Sequence, residues 1–235
     1  MIRMTIKEAT KLTGGLSNPS KMPGYGYSVS KDTCPVIAKH SDCDSICSKC
    51  YAKKGRYNFP KVQAAMKLRA QKRMFSLEWQ KGMEHLISKR CTGWYGNVPY
   101  FRWHDCGDIE YVEDLLSIMS IAKNLPKVHF WLPTKRYELV EMIDKKDVPK
   151  NLTIRLSAHY IDRKPMYDCA IGSQDGTSFK VEDPGKLKKY PFSTVIKEIS
   201  YKDARICPAT NGQKGCQECR KCWDSKVKHI SYKIH

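Results

Sequence analysis

The sequence predicts an α/β fold, a partial (β/α) TIM-like barrel of about six units with a C-terminal cysteine-rich loop. Three observations predict it. Strand-like and helix-like segments alternate along the chain, the connections between them are short, and 235 residues fall short of the roughly 250 that a complete eight-fold barrel needs. Alternation with short connections favours parallel strands covered by helices. We expect residues 1–235 to form a single domain.

The predicted barrel core spans residues 25–159. Residues 25–30 form a short candidate strand, and a cysteine loop follows it directly. Residues 61–90 carry a helical pattern that should break near Ser76, a residue that can begin a second helix. The remaining elements alternate as strand 100–104, helix 112–123, strand 128–132, helix 137–143 and strand 152–156.

The second half of the chain interrupts this rhythm. Residues 160–193 are rich in glycine and proline and have no clear helical pattern, which predicts an irregular insertion. This insertion is either a lid over the open end of the barrel or a surface excursion. Residues 194–235 complete the chain with strands predicted at 194–200 and 227–234 and a cysteine cluster between them.

Cys43, Cys47 and Cys50 form a C-x3-C-x2-C motif. This spacing can place three thiolates around one [4Fe-4S] cluster and leave the fourth iron open to a substrate or cofactor, whereas a four-cysteine site is closed. Because of Cys34, both an open three-cysteine site and a closed four-cysteine site are possible. If its loop folds back, Cys34 could supply the fourth ligand, and if the loop points away, Cys34 is an ordinary buried thiol.

A second cysteine motif lies near the C-terminus. Cys216, Cys219 and Cys222 follow a C-x2-C-x2-C pattern, and Cys207 stands directly before a proline. Bacterial ferredoxins use this cysteine spacing together with a distant Cys-Pro, so the four residues could hold a second [4Fe-4S] cluster. Zinc is the alternative, because C-x2-C steps also build tetrahedral structural sites. Eleven clustered cysteines, an odd number, favour metal binding over a secreted disulfide framework.

Polar residues follow each predicted strand at the point where it ends. Gly107 and Asp108 come after the second strand, Lys135 after the third and Ser157 after the fourth. Ligands gather at the carboxyl ends of parallel strands, so we expect these residues to share one edge. Each of them also has an ordinary structural explanation, such as a helix cap for Asp108.

The cysteine motif and the Gly-Asp turn together resemble the radical SAM superfamily over residues 25–159. More narrowly, the chain is similar to phage-encoded radical-SAM-like proteins. That similarity rests on Cys34-Pro35, on Cys50-Tyr51-Ala52 and on Gly55-Arg56-Tyr57. The resemblance implies a [4Fe-4S] cluster with S-adenosylmethionine at its open iron and radical chemistry on a nucleic acid or a protein. The residues that it implies for cofactor binding are Gly107, Asp108, Tyr51 and Ser157.

The chain also departs from that family. Lys49 replaces the aromatic residue that usually precedes the third cysteine, the family's Gly-Gly-Glu type turn appears only as Cys106-Gly107-Asp108, and residues 194–200 lack the usual glycine-rich segment. These departures favour an alternative, a non-enzymatic iron–sulfur protein for redox, sensing or assembly that has lost S-adenosylmethionine binding. A redox role would need an electron donor. The sequence leaves open whether the protein is an enzyme.

The net charge of +18 favours a polyanionic partner, either a nucleic acid or an acidic protein. A third interpretation is therefore a zinc-stabilised nucleic-acid-binding module, in which Tyr25, Tyr27, Tyr51 and Tyr57 could stack on bases, although these tyrosines could equally be core residues. No apolar run approaches the roughly 18 residues of a membrane span, and no signal pattern opens the chain. We expect a cytoplasmic protein without a membrane partner, in the host cytoplasm if it is phage-encoded.

Overall fold

The fold is a seven-stranded sheet with helices packed against one of its faces. A computed structural model describes residues 4–36, 45–72, 74–92, 98–167, 171–172, 178–179 and 181–234. The strands are β1 (Gly26–Tyr27), β2 (Tyr100–Trp103), β3 (His129–Thr134), β4 (Leu152–Ser157), β5 (Ile171–Gly172), β6 (Ser178–Phe179), β7 (Phe192–Ile196), β8 (Arg205–Ile206) and β9 (His229–Lys233). The helices are α1 (Ile6–Thr13), α2 (Pro60–Ala70), α3 (Leu77–Cys91), α4 (Val112–Asn124), α5 (Tyr137–Glu141) and α6 (Pro184–Leu187).

The sheet has the strand order β1-β2-β3-β4-β7-β9-β8, and every neighbouring pair is parallel. The predicted α/β class is therefore confirmed. Closure of the sheet into a barrel is not confirmed, because β1 and β8 form two edges of an open sheet within the described residues. Strands β5 and β6 pair with each other in a separate antiparallel hairpin.

Several element boundaries follow from local capping. The predicted break in the helix at residues 61–90 is confirmed, because the Ser76 hydroxyl accepts a hydrogen bond from the Trp79 N–H at 3.2 Å and begins α3. The prediction of a strand at 194–200 was wrong at both ends. β7 begins at Phe192 and ends at Ile196, because the Asp162 carboxylate binds the N–H groups of the next residues, including Lys197 at 2.8 Å.

Four short features lie outside the predicted pattern. They are α1, β8, the β5–β6 hairpin and α6, and the last two fall in the predicted irregular region 160–193. Helix α1 begins with a capping box in which the Thr5 hydroxyl accepts from the Glu8 N–H and the Glu8 carboxylate accepts from the Thr5 N–H. It packs on α3 so closely that a side chain at Gly82 would meet Thr13 at 2.8 Å.

The two faces of the sheet are covered differently. Alternate strand residues, such as Phe101, Phe130 and Ile154, join the main core beneath the helices. The intervening residues Trp131 and Arg155 face the other side, which residues 221–224 of the C-terminal segment cover. This alternation is the ordinary period of a strand, and it gives the C-terminal cysteines a place on the sheet. None of the described helices combines the length and apolar character needed to cross a membrane.

Candidate metal-binding site

The first cysteine loop lies at the carboxyl edge of the sheet. We call residues 45–50 the rim loop. The Ile46 N–H donates to the His159 carbonyl, just after β4, at 2.8 Å, and Ser45 forms a β-bridge with Tyr160. These bonds place Cys47 and Cys50 at this edge, while Cys43 lies outside the described residues.

Cys34 folds back onto the rim loop. Its side chain is 7% exposed and belongs to one buried cluster with Val36 and with Cys47, which is 6% exposed. A capped turn directs the chain there, because the Ser30 hydroxyl accepts from the Asp32 N–H and the Cys34 N–H donates to the Lys31 carbonyl at 3.1 Å. Of the two arrangements open to Cys34, the structure therefore has the one in which its loop approaches the motif.

Two further thiols lie close to this cluster. Cys50 packs beside the buried Cys106, around Ala52 and Met66. Burial raises the pKa of the Cys106 thiol, and negative charge on Cys50, Asp105 or Cys34 raises it further. Cys50 and Cys34 are thus near enough to Cys106 for their charges to interact with it.

Asp108 lies at the same edge and is fixed by the neighbouring strand. Its carboxylate accepts hydrogen bonds from the Thr134 hydroxyl at 2.7 Å, the Lys135 N–H at 2.8 Å and the Ile109 N–H at 2.9 Å. Burial raises the pKa of Asp108, and these bonds oppose that rise. Burial also raises the pKa of Cys47, which the charge of Lys135 lowers and that of Asp108 raises. Of the residues expected at one edge, Asp108 and Lys135 are thus in direct contact.

Gly107 has a structural reason to be glycine. Its φ of 85° lies in the left-handed region, and a Cβ atom there would stand 2.2 Å from the Cγ2 atom of Val29. The Val29 N–H donates to the Cys106 carbonyl at 3.1 Å and holds the two segments in this contact. The turn after β2 therefore depends on close approach of the chain that follows β1.

Tyr51 and Ser157 are also engaged within the protein. The Tyr51 ring is half exposed, but its hydroxyl is enclosed, donating to the Asp105 carbonyl and accepting from Arg102 Nη2 at 3.3 Å. Burial of that hydroxyl raises the pKa of Tyr51 to about 12. The Ser157 hydroxyl lies 3.4 Å from the Ser193 hydroxyl. Of the four predicted tyrosines at a nucleic-acid surface, Tyr27 is fully buried, so that expectation was wrong for Tyr27.

His104 is a further polar residue at this edge. It follows β2, is 3% exposed and has a φ of 49°, which is uncommon for a residue with a side chain. Neither of its ring nitrogens has a hydrogen-bond partner among the described residues. Burial lowers the pKa of His104 to about 4, so the imidazole is neutral at pH 7. Its position at a strand end was the available sequence signal.

The second cysteine region, residues 207–224, is called here the C-terminal cysteine loop. Cys207, Cys219 and Cys222 line one narrow cleft, and the Cys216 N–H donates to the Lys21 carbonyl at 2.9 Å. Burial raises the pKa of Cys222 to about 12. The pKa of Cys216 is raised by burial and then by charge on Cys207 and Cys219. All four predicted residues therefore lie in one neighbourhood.

Arg155 fastens this loop to the sheet. Its side chain is fully buried and donates to four carbonyl groups, at distances from 2.9 to 3.3 Å. The acceptors belong to Phe192, Val227, Lys221 and Asp224. Trp223 adds a hydrogen bond from its indole nitrogen to the Phe101 carbonyl at 2.9 Å. The end of the loop that carries Cys222 and Trp223 is therefore packed into the interior of the protein.

Among the described residues, no group of three or more His, Cys, Asp or Glu side chains is arranged to hold a metal ion. The chemistry of the donors nevertheless fits a soft metal or an iron–sulfur cluster, because both regions concentrate thiols, and thiolates are the ligands of such groups. Binding would have to release the thiol protons that burial retains, for which Cys47 and Cys222 are the clearest cases. It would also have to draw the sulfur atoms together.

Comparison with known proteins yields one match. Neither the curated proteins nor the solved structures contain a significant match to this chain. A family model described as Gene product 88 matches residues 3–225, which include both cysteine regions and every strand of the parallel sheet except β9. The chain therefore belongs to the Gene product 88 family, a phage-type family whose description names no activity.

Proposed function

We propose that this protein is an iron–sulfur protein in which Cys34, Cys43, Cys47 and Cys50 together hold one closed [4Fe-4S] cluster. The observation that carries the proposal is the burial of Cys34 against Cys47 at the carboxyl edge of the sheet. Four thiolates complete the coordination of such a cluster, so no iron remains for a small molecule. A closed cluster suits electron transfer, sensing or cluster assembly.

The engagement of nearby residues supports this function over chemistry dependent on S-adenosylmethionine. The resemblance implies that Asp108 binds the methionyl amine, yet its carboxylate already accepts three hydrogen bonds, from Thr134, Lys135 and Ile109. Gly107 is explained by its contact with Val29, and the Tyr51 hydroxyl is enclosed. These three residues already have structural roles.

The strand order supports the finer fold assignment, a partial (β/α) barrel of about six units. Strands β1, β2, β3, β4, β7 and β9 neighbour one another in chain order. A (β/α) barrel adds its strands in this way, and it places its ligands at the carboxyl edge, where the rim loop lies. For such a protein we propose a cytoplasmic location, in the host cytoplasm if it is phage-encoded.

The C-terminal cysteine loop is proposed to hold a second metal group, a [4Fe-4S] cluster with zinc as the alternative. Three of its four thiols line one cleft, and the end of the segment that carries them is clamped by Arg155. A metal bound here would stabilise the fold, as structural metal sites do.

A radical SAM enzyme acting on a nucleic acid or a protein remains the second candidate, and His104 is the observation in its favour. The imidazole is buried, neutral and unpartnered among the described residues, at the edge where (β/α) proteins bind ligands. A buried polar group of this kind needs a hydrogen-bond partner, which a bound molecule could supply.

Electron paramagnetic resonance separates these functions. Anaerobically purified protein, assayed for iron, sulfide and zinc, would be reduced with dithionite and measured with and without S-adenosylmethionine. The closed cluster predicts iron, sulfide and a reduced-cluster signal that the cofactor does not change. A signal that changes shape with the cofactor would contradict closure and favour the enzyme, whereas zinc without iron would contradict the iron–sulfur assignment altogether.

A further inference from the structure

A second cleft lies at the opposite end of the sheet from the rim loop. It opens at the amino ends of β4 and β7 and is distant in the fold from the cysteine edge. Its lining includes Lys145, Lys150, Tyr190 and Ser225. The cleft therefore combines positive charge with hydroxyl groups.

Tyr190 gives the cleft an unsatisfied polar group. Its side chain is 3% exposed, and its hydroxyl has no hydrogen-bond partner among the described residues. Burial raises the pKa of Tyr190 to about 12, with Asp144 raising it further, so the hydroxyl keeps its proton at pH 7. A buried hydroxyl without a partner is unfavourable unless something binds it. The Asp144 carboxylate is itself paired with Lys146 at 3.1 Å.

Lys145 lies over the Tyr190 ring. Its ammonium is 5.1 Å from the centre of the ring and donates to the Lys189 carbonyl. Burial lowers the pKa of Lys145, and the charges of Lys228 and Lys189 lower it further. Both of these lysines therefore repel Lys145, and Lys150 adds a further positive charge at the wall of the cleft. An anion bound here would relieve this repulsion.

We propose that the cleft binds the phosphate backbone of a nucleic-acid strand. One phosphate offers oxygens on several sides and can accept from the Tyr190 hydroxyl and the Lys145 ammonium together. Lys150, Lys189 and Lys228 are exposed around it, so successive phosphates of a strand could meet further cations. The net charge of +18 strengthens attraction to such a polyanion. The site is independent of the cysteine regions.

The test measures binding of a fluorescein-labelled single-stranded DNA of about 20 nucleotides by anisotropy over a range of salt concentrations. The variants are Lys145→Gln and Tyr190→Phe, and Lys81→Gln is the matched control, because it removes one charge from an exposed position on α3. Loss of one phosphate contact should reduce the salt slope by about 0.7 in Lys145→Gln. Tyr190→Phe keeps the ring and should weaken binding about tenfold with the slope unchanged.

Four results would overturn the proposal. The first is equal losses in Lys145→Gln and Lys81→Gln, which would indicate a diffuse field. The second is full affinity in Tyr190→Phe, and the third is no binding by the native chain at low salt. The fourth is displacement of the DNA by millimolar inorganic phosphate, which would assign the cleft to a small phosphate compound and would contradict a nucleic-acid partner. Thermal unfolding of each variant shows whether the fold is intact. Tyr190→Phe removes only one oxygen, so it is the variant least expected to disturb the fold.

Discussion

The two cysteine regions are attached to the sheet in different ways. The rim loop is tied to the carboxyl edge through its backbone, by the bond from Ile46 to the carbonyl after β4. The C-terminal cysteine loop is held across a face of the sheet through buried side chains, Arg155 and Trp223. The rim loop adjoins polar groups at strand ends, whereas the C-terminal loop adjoins core.

This difference indicates that the rim loop is a candidate binding site, whereas the C-terminal cysteine loop supports the fold. At the edge, Cys47 lies within the electrostatic reach of Asp108 and Lys135, and the two ring nitrogens of His104 have no hydrogen-bond partner in the part of the chain that the structure describes. On the face, the four carbonyls that Arg155 binds fix the backbone of the C-terminal loop whether or not its thiols hold a metal. We therefore expect changes at the face to affect stability and changes at the edge to affect the cluster.

The largest expected effect is on stability, from Arg155→Met. The substitution keeps an apolar stem but removes four hydrogen bonds from a charged donor, although the carbonyls of Lys221 and Asp224 keep a backbone N–H donor. Loss of these charged hydrogen bonds should lower the free energy of unfolding by about 3 kcal/mol or more. Urea unfolding measures this, with the exposed Lys226→Met in the same segment as the control, expected within about 0.5 kcal/mol of the native chain. Equal stabilities for the two variants would show that Arg155 does not clamp the loop.

The next effect is a pH dependence at the edge. The pKa of His104 falls from 6.5 to about 4 on folding, so the unfolded chain binds this proton at higher pH than the folded chain does. The stability from the neutral imidazole is therefore present above pH 6.5 and is lost as the pH falls towards 4, by about 3 kcal/mol. His104→Asn lacks this titration and tolerates the left-handed backbone.

The measurement is the difference in unfolding free energy between the native chain and His104→Asn at pH 7 and at pH 4. The difference should shrink by about 3 kcal/mol at the lower pH. A difference that does not depend on pH would mean that His104 is protonated or solvated in the folded protein. The loss in Arg155→Met should stay constant over this range, because the guanidinium remains charged.

The sequence could predict features that depend on residues close together in the chain, and it could not predict features that depend on contacts between distant residues. The cap at Ser76 and the gathering of Asp108 and Lys135 at one edge follow from short-range pattern and from the parallel connection rule. The clamp formed by Arg155 could not be predicted, because its acceptors lie 37 to 72 positions further along the chain. The capping box of α1, in contrast, was a local signal and could have been found.

The edge itself contains residues whose roles only tertiary contacts reveal. Cys34 could be either a ligand or an isolated thiol until its contact with Cys47 was known. The left-handed conformation of His104 has no sequence pattern that predicts it. The early end of β7 depends on Asp162, which precedes the strand by about 30 residues. Its carboxylate binds the backbone N–H of Lys197, directly after the last residue of the strand. Such contacts are set by packing between distant segments.

A smaller effect is expected from Asp108→Asn. The amide retains one acceptor oxygen, but its NH2 group would face a donor, either the Thr134 hydroxyl or the Lys135 N–H. We expect a loss of about 1–2 kcal/mol in the free energy of unfolding. Asp147→Asn is the control, at an exposed position, and should change stability by less than about 0.5 kcal/mol. A loss no larger than that of the control would mean that Asp108 is not held by β3 and is available for a ligand.

The smallest effect is expected from Tyr51→Phe. The ring stays, and the hydroxyl is lost together with its bonds to the Asp105 carbonyl and Arg102. Stability should fall by about 1 kcal/mol, and the iron content should not change, because Tyr51 lies beside the motif and supplies no thiol. Loss of iron in this variant would give Tyr51 a direct role at the cluster.

The most direct test of the closed cluster is the iron and sulfide content of Cys34→Ala, measured beside Cys50→Ala. The account predicts that both variants lose the same iron, about four atoms per chain. Cys91→Ala, which removes a buried thiol from α3, should lose none. Full iron in Cys34→Ala with loss in Cys50→Ala would contradict closure by Cys34, and full iron in both would contradict a cluster on the rim loop.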